Sequence, residues 1–163
     1  TFIYALIYGA GAAKIGTVVG ETAAGGALLK SRFFSNIPAL KALIKEVQTT
    51  GYNRGYLKGL DGRILPVRSK HSALNLLLQS AGAVIMKQAT VNMWRLFNEH
   101  LEKGTWFQVG HIHDEVQFEA RPGIADELGA YAVRGIRETS DILSLRCPLD
   151  GEYKIGTSWA DTH

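Results

Sequence analysis

Cysteine is nearly absent: Cys147 is the one thiol in 163 residues. Neither a disulfide framework nor a cysteine metal site can be built within the chain, and a reducing, intracellular setting is expected. Membrane-spanning runs are missing too. The apolar segment at the start, Phe2-Ile3-Tyr4-Ala5-Leu6-Ile7-Tyr8, is too short to cross a bilayer, and no charged residue precedes it as a signal peptide requires. Internal repeats and low-complexity linkers are lacking, which argues for one folded unit. A phosphate-binding loop is lacking as well: Gly9, Gly11 and Gly16 are spaced G-x-G-x-x-x-x-G, not G-x-G-x-x-G, and Gly16-Thr17 has no P-loop lysine. The sequence opens at Thr1, without an initiator methionine, straight into an apolar segment that reads as the middle of a helix. It is therefore expected to be a piece of something longer.

What is present suffices for an ordinary core. Apolar residues make up 46% and charged residues 20%, which excludes disorder. A net charge of +3 and a pI of about 9.0 permit a polyanionic partner without demanding one. Tyr4 and Tyr8 fall one helical turn apart on one face, and Gly9-Ala10-Gly11 ends that helix. Helices are expected over residues 11–19 and 22–34, the second opened by Glu21-Thr22 with Leu28, Leu29 and Phe33 on its buried face. Another runs from Ile37 to about Gln48, with Asn36 as N-cap and Pro38 in its first turn. Residues 51–67 read as a hairpin turning at Asp61-Gly62 between Tyr56-Leu57 and Ile64-Leu65. The longest periodic stretch, residues 72–101, is a Pro-free helix whose first half reads as buried nearly all round. Pro122 opens a helix to about Thr139 with Leu128, Tyr131, Ala132 and Ile136 inward, and a short strand is expected around Tyr153. The fold class is α+β: a small antiparallel sheet packed by helices.

Three groups of polar residues carry chemistry. His71, Asn75 and Gln79 recur every four residues as one polar stripe on a greasy helix. Buried polar groups need partners, so the stripe either cross-links neighbouring loops or faces something external with hydrogen-bond acceptors. Lys58, Arg63, Arg68 and Lys70 cluster around the first hairpin, as a solvated face or as phosphate contacts. His113-Asp114-Glu115 falls where the alternation of Phe107 and Val109 breaks before resuming at Val116 and Phe118, at a turn between two half-buried strands. It is either a solvated acidic tip or a site for a hard cation such as Mg²⁺, which takes oxygen ligands and needs only one or two protein carboxylates plus substrate phosphates.

In order along the chain stand Tyr4-x3-Tyr8-Gly9, Gly-Leu-Asp-Gly-Arg from Gly59 to Arg63, His71-x3-Asn75-x3-Gln79 within a run including Leu76-Leu77-Leu78-Gln79-Ser80-Ala81-Gly82-Ala83, His113-Asp114-Glu115, and the tail Trp159 to His163. Together they resemble the fingers and palm of family A DNA polymerases, most closely the replicative polymerases of short-tailed phages. The likeness covers essentially the whole chain.

The resemblance implies fingers helices over residues 1–50 and palm over residues 51–163, with primer-template DNA and deoxynucleoside triphosphates as partners. Tyr8 would pack under the base and sugar at the nascent pair, and Tyr4 would sit near the sugar 3′ position, where tyrosine goes with ready acceptance of dideoxynucleotides. Asn75 and Gln79 match the minor-groove residues, while His71 stands where many bacterial members carry arginine. Lys58, Arg63, Arg68 and Lys70 would meet phosphates. Asp114 would ligate two Mg²⁺ ions, with Glu115 behind it, His113 at the primer end and His163 near the same site. The family's other metal aspartate, and the lysine and arginine that hold the triphosphate, are expected upstream of residue 1, so the chain alone is expected to polymerise nothing. A processivity factor would bind outside this chain, no membrane is involved, and the setting is the cytoplasm of a bacterial host. The competing reading is a non-catalytic DNA-binding remnant, for which an intact Asp114 has no use. A metal-dependent hydrolase would need more carboxylates or histidines than the chain supplies.

Overall fold

Helix α1, Phe2–Ile7, shows how closely local sequence sets local structure here. Gly9 takes φ +75°, Ala10 N donates to Ala5 O at 2.9 Å and Gly9 N to Leu6 O at 3.0 Å. That pair of bonds is a Schellman stop, which requires the left-handed residue glycine supplies without strain. The computed structural model describes residues 2–162. They fall into two compact units, residues 1–81 and 82–163.

The first unit continues with α2, Ala12–Val19, and α3, Ala23–Asn36. Thr22 caps α3 by accepting from Gly25 N at 3.2 Å. The two helices approach backbone to backbone: a Cβ on Gly26 would lie 2.9 Å from Gly16 Cα and meet the Ala12 carbonyl. The expected buried face of α3 is therefore corrected. Leu28 and Leu29 are exposed, Phe33 is half-buried, and Gly26 is the buried residue, because contact through glycine leaves the leucines outside.

Helix α4 spans Pro38–Arg54 with Ile37 as N-cap, and Asn36 is the last residue of α3. The expected Asn36 cap and the stop near Gln48 are both corrected. Gly51 does not break α4; it is buried, and a Cβ there would sit 3.0 Å from Leu57 Cγ, so the helix uses it for close approach. Gly55, at φ +75°, ends α4 and leads into the first hairpin, β1 Tyr56–Lys58 and β2 Ile64–Pro66, paired antiparallel with Leu57 opposite Leu65.

Helix α5, Ala73–His100, begins in the first unit and continues in the second. Its first half is not buried all round, since Leu78, Gly82 and Ala83 are exposed. Deep burial in the first half is confined to Ala73 and Leu74 at its start; the main core lies further along. There Ala89, Met93, Phe97 and Leu101 form the core of the second unit with Trp106 and Leu128, and Phe97 meets Trp106 and Phe118 edge-on at 4.9 and 5.1 Å between ring centroids. Strands β3, Trp106–Ile112, and β4, Glu115–Ala120, pair antiparallel with a register shift at Val109. The buried β3 position is Trp106, whereas Phe107 and Val109 point outward, opposite to the expected face: the period-2 alternation is kept, but the core takes the Trp106 side of the strand.

A 3₁₀ turn at Pro122–Ile124 leads into α6, Ala125–Ile142. Tyr131, Ala132 and Ile136 pack on the core beside Leu128, as its periodicity predicts. No strand forms around Tyr153; its ring instead lies against Gly129, where any Cβ would collide with it. Helix α7, Trp159–Thr162, closes the described chain. The α+β class therefore holds, with two two-stranded antiparallel ladders among the described residues and helices around them. Among the described residues no helix is long and apolar enough to cross a membrane.

Candidate functional site

In the first unit the aromatic face of α1 and the polar stripe of α5 meet. Tyr8 N donates to Tyr4 O at 2.9 Å, so the two rings stand one turn apart, 70% and 58% exposed for Tyr4 and Tyr8. Gln79 Nε2 donates to the Tyr8 hydroxyl at 2.7 Å, across 71 residues of sequence. A Cβ on Gly9 would lie 3.2 Å from the His71 carbonyl oxygen; His71, expected on the helix with Asn75 and Gln79, lies instead in the turn before α5, which begins at Ala73. Lys30 Nζ donates to the Ala10 carbonyl at 3.1 Å and pins the same turn from α3. Asn75, in the middle of the stripe, has a buried Oδ1 with no hydrogen-bond partner among the described residues. The fold alone does not satisfy that group, although buried acceptors are normally paired.

The basic residues differ from one another. Lys58, Arg68 and Lys70 are exposed. Arg63 is tied to its own turn, donating from Nε to both Asp61 carboxylate oxygens at 2.9 and 2.8 Å and pairing through Nη2 at 2.6 Å. The side-chain hydrogen bond from Arg63 holds the Asp61 carboxyl below the usual carboxylate range, and the same bond raises the guanidinium.

In the second unit, His113 and Asp114 form the two-residue turn between β3 and β4, and Glu115 begins β4 opposite Ile112. His113 takes φ +55°. Two-residue hairpin loops favour turns with positive φ at the first central position, and a histidine held there is one of the few non-glycine exceptions. Asp114 stands exposed at the tip. Glu115 is drawn elsewhere: its Oε1 accepts from Trp159 Nε1 at 3.0 Å and from Gln117 Nε2. Thr162 Oγ1 donates to Gln117 Oε1 at 3.3 Å, so the tail is sewn to the hairpin. His163 lies outside the described residues. A cleft of about 560 Å³ opens beside this seam, lined by Val109, Ile112, Phe118, Pro122, Trp159 and Thr162 among others.

Sequence reasoning missed Gln117 and Trp159 as partners of Glu115, and Asp61 as partner of Arg63. Only the last had a local signal, an acid two residues from the arginine within a turn. Among the described residues no group of three His, Cys, Asp or Glu side chains comes together to hold a metal. Asp114, exposed and beside a second carboxylate, nonetheless fits one oxygen arm of a Mg²⁺ site completed by substrate phosphates and other ligands.

Comparison with known proteins gives a consistent result. The family model described as DNA polymerase family A matches residues 1–161. The chain is 38% identical over its whole length to the DNA-directed DNA polymerase of Escherichia phage T7, of which it covers 26%. It is 37% identical over its whole length to that of Escherichia phage Phieco32, covering 27%. A thermostable DNA polymerase I of Thermus thermophilus is 29% identical over 78% of the chain and is covered to 16%. Among solved structures, the POL domain of Pol1 from M. smegmatis, in complex with DNA primer-template and dNTP, superposes with a TM-score of 0.72 at 21% identity, over 91% of this chain and 27% of that one. The chain thus spans about a quarter of the length of the phage relatives it matches.

Proposed function

Because the chain belongs to DNA polymerase family A, we propose that it supplies fingers (residues 1–50) and palm (residues 51–163) to a DNA-directed DNA polymerase that adds deoxynucleotides to a primer 3′-hydroxyl during phage DNA replication in the bacterial cytoplasm. The observation that carries this reading is the hydrogen bond between Gln79 and Tyr8. It joins the tyrosine helix to the polar stripe and brings an exposed aromatic ring and an amide donor to one place. In the minor groove every base pair offers purine N3 and pyrimidine O2 acceptors, so amide donors at Gln79 and Asn75 test pairing without reading sequence. The exposed Tyr8 ring is a platform for the base and sugar of the incoming nucleotide. Tyr4 stands one turn back near the sugar 3′ position, and His71 lies in the turn before α5. Lys58, Arg68 and Lys70 meet phosphates, and Arg63 does so when it releases Asp61.

Asp114 would be this chain's ligand to two Mg²⁺ ions, which when bound would supply Lewis-acid activation of the primer hydroxyl and neutralisation of phosphate charge. The residues here do the positioning that phosphoryl transfer depends on: Glu115, anchored through Trp159 and Gln117, stiffens the base of the tip; His113 sets the turn and orients the primer end. The other metal aspartate and the triphosphate-binding lysine and arginine would come from parts of such a polymerase that this chain, a quarter of its phage relatives' length, does not cover.

A templated primer-extension assay tests this. The 163-residue chain alone extends nothing. The polymerase that carries it extends, and Asp114→Asn lowers that rate at least about 100-fold, since metal stabilisation of transition-state charge is worth several kcal/mol. Extension by the isolated chain, or an Asp114→Asn enzyme at full rate, overturns the assignment.

A further inference from the structure

The Tyr8–Gln79 bond has one fixed end and one free end. The tyrosine end is fixed by the Schellman stop at Gly9, by the close approach of Gly9 to the His71 carbonyl, and by Lys30 holding the Ala10 carbonyl. The glutamine end is an exposed side chain with several rotatable bonds on the face of α5. An amide nitrogen carries two N–H groups; the 2.7 Å contact engages one and leaves the other to donate.

We propose that the Tyr8 hydroxyl is a positioning group for Gln79: it orients the glutamine amide so that its second N–H meets the minor-groove acceptor of the base pair at the primer terminus. The inference rests on the polymerase reading and deepens it. The hydroxyl does this from the residue whose ring receives the incoming nucleotide, so nucleotide binding and the pairing check share one hydrogen bond. Any shift of Tyr8 that lengthens the bond removes the anchor of the check. Tyr8 is thus more than a flat surface for a base, and its oxygen has a task separable from its ring.

The test separates oxygen from ring. In the polymerase that carries this segment, single-turnover extension is measured from primer termini containing guanine or 3-deazaguanine, in which the N3 acceptor is replaced by C–H, placed in turn on the primer and template sides of the terminal pair. The ratio of the two rates within each enzyme cancels any change in overall rate. In the unsubstituted enzyme the ratio on the sensitive side is expected to be about three- to tenfold, the range of one neutral hydrogen bond. Tyr8→Phe keeps the ring and deletes the hydroxyl; its ratio is expected to fall toward one, as in Gln79→Ala, with no further fall in the double variant. A Tyr8→Phe ratio equal to that of the unsubstituted enzyme overturns the proposal, as does a ratio of one in the unsubstituted enzyme. No extension of unmodified primers by the unsubstituted enzyme overturns the polymerase reading itself, and the two failures are distinguished by that control.

Discussion

Asn92 is the buried polar hinge of the second unit, and its replacement gives a graded prediction. Its side chain is 4% exposed. Nδ2 donates to the Gly135 carbonyl and to Thr139 Oγ1, both at 3.1 Å, and Oδ1 accepts from Gln88 Nε2 at 3.0 Å. One residue on, the helices touch through glycine, since a Cβ on Gly135 would lie 3.0 Å from Met93 N. Three neutral hydrogen bonds at about 0.5–1.5 kcal/mol each, plus a small cavity, make Asn92→Ala destabilising by about 2–4 kcal/mol. Asn92→Leu restores the volume, and Thr139 Oγ1 still donates to the Gly135 carbonyl at 2.9 Å, so that carbonyl is not orphaned and the loss is about 1–2 kcal/mol. Asn92→Asp turns a donor into a carboxylate facing a carbonyl oxygen in a buried site, which raises its folded-state pKa. The sign follows directly: across the window between the unfolded and folded values the native state binds the extra proton, so this variant loses stability as pH rises. Urea unfolding followed by tryptophan fluorescence reads all three, because Trp94 and Trp106 are in edge contact at 4.9 Å in the same core. If leucine proves as harmful as alanine, or the aspartate variant is indifferent to pH, the hydrogen-bond accounting is wrong.

Two further outcomes are expected. Tyr4→Phe in the polymerase carrying this segment should increase discrimination against dideoxynucleotides by about ten- to a hundredfold in single-nucleotide insertion, the scale of one hydrogen bond to a charged group; unchanged preference refutes the placement of Tyr4 near the sugar. The hydroxyls of Ser158 and Thr157, then their backbone N–H groups, hold Asp161 below the usual carboxylate range. A depressed carboxyl stabilises above its unfolded pKa and loses that contribution as pH falls through the folded value. The carboxyl carbon of Asp161, followed by NMR, should therefore titrate below the usual carboxylate range; a titration at or above that range contradicts this.

Much of the fold was legible because it is local. Glycine after α1, the hairpin around Asp61-Gly62, and the inward row of α6 are set within one or two turns of chain. The failures share a cause. Gly51 reads as the start of the hairpin and Gly26 as an ordinary position within a helix, yet at Gly26 a neighbouring backbone leaves no room for a Cβ and at Gly51 the Leu57 side chain comes within 3.0 Å of one, and spacing cannot tell a breaker from a contact. The exposed leucines of α3 follow from the same fact. At the candidate site, the types and order of Tyr8, Gln79 and Asp114 were legible, while the bonds that orient them were not: Tyr8 with Gln79 and Glu115 with Trp159 join residues 71 and 44 apart, and no periodic signal spans such distances.

The Asp61–Arg63 pair bears on how the protein would meet the ion atmosphere of a nucleic acid. Each phosphate neutralised by a basic side chain frees condensed counterions and adds roughly 0.9 to the slope of log affinity against log salt on duplex DNA. Lys58, Arg68 and Lys70 would bring unspent charge to that exchange, but Arg63 arrives already neutralised by a partner two residues away. Its engagement would exchange one anion for another and release little net charge. Around this hairpin, the salt dependence of binding would count fewer cations than the sequence displays.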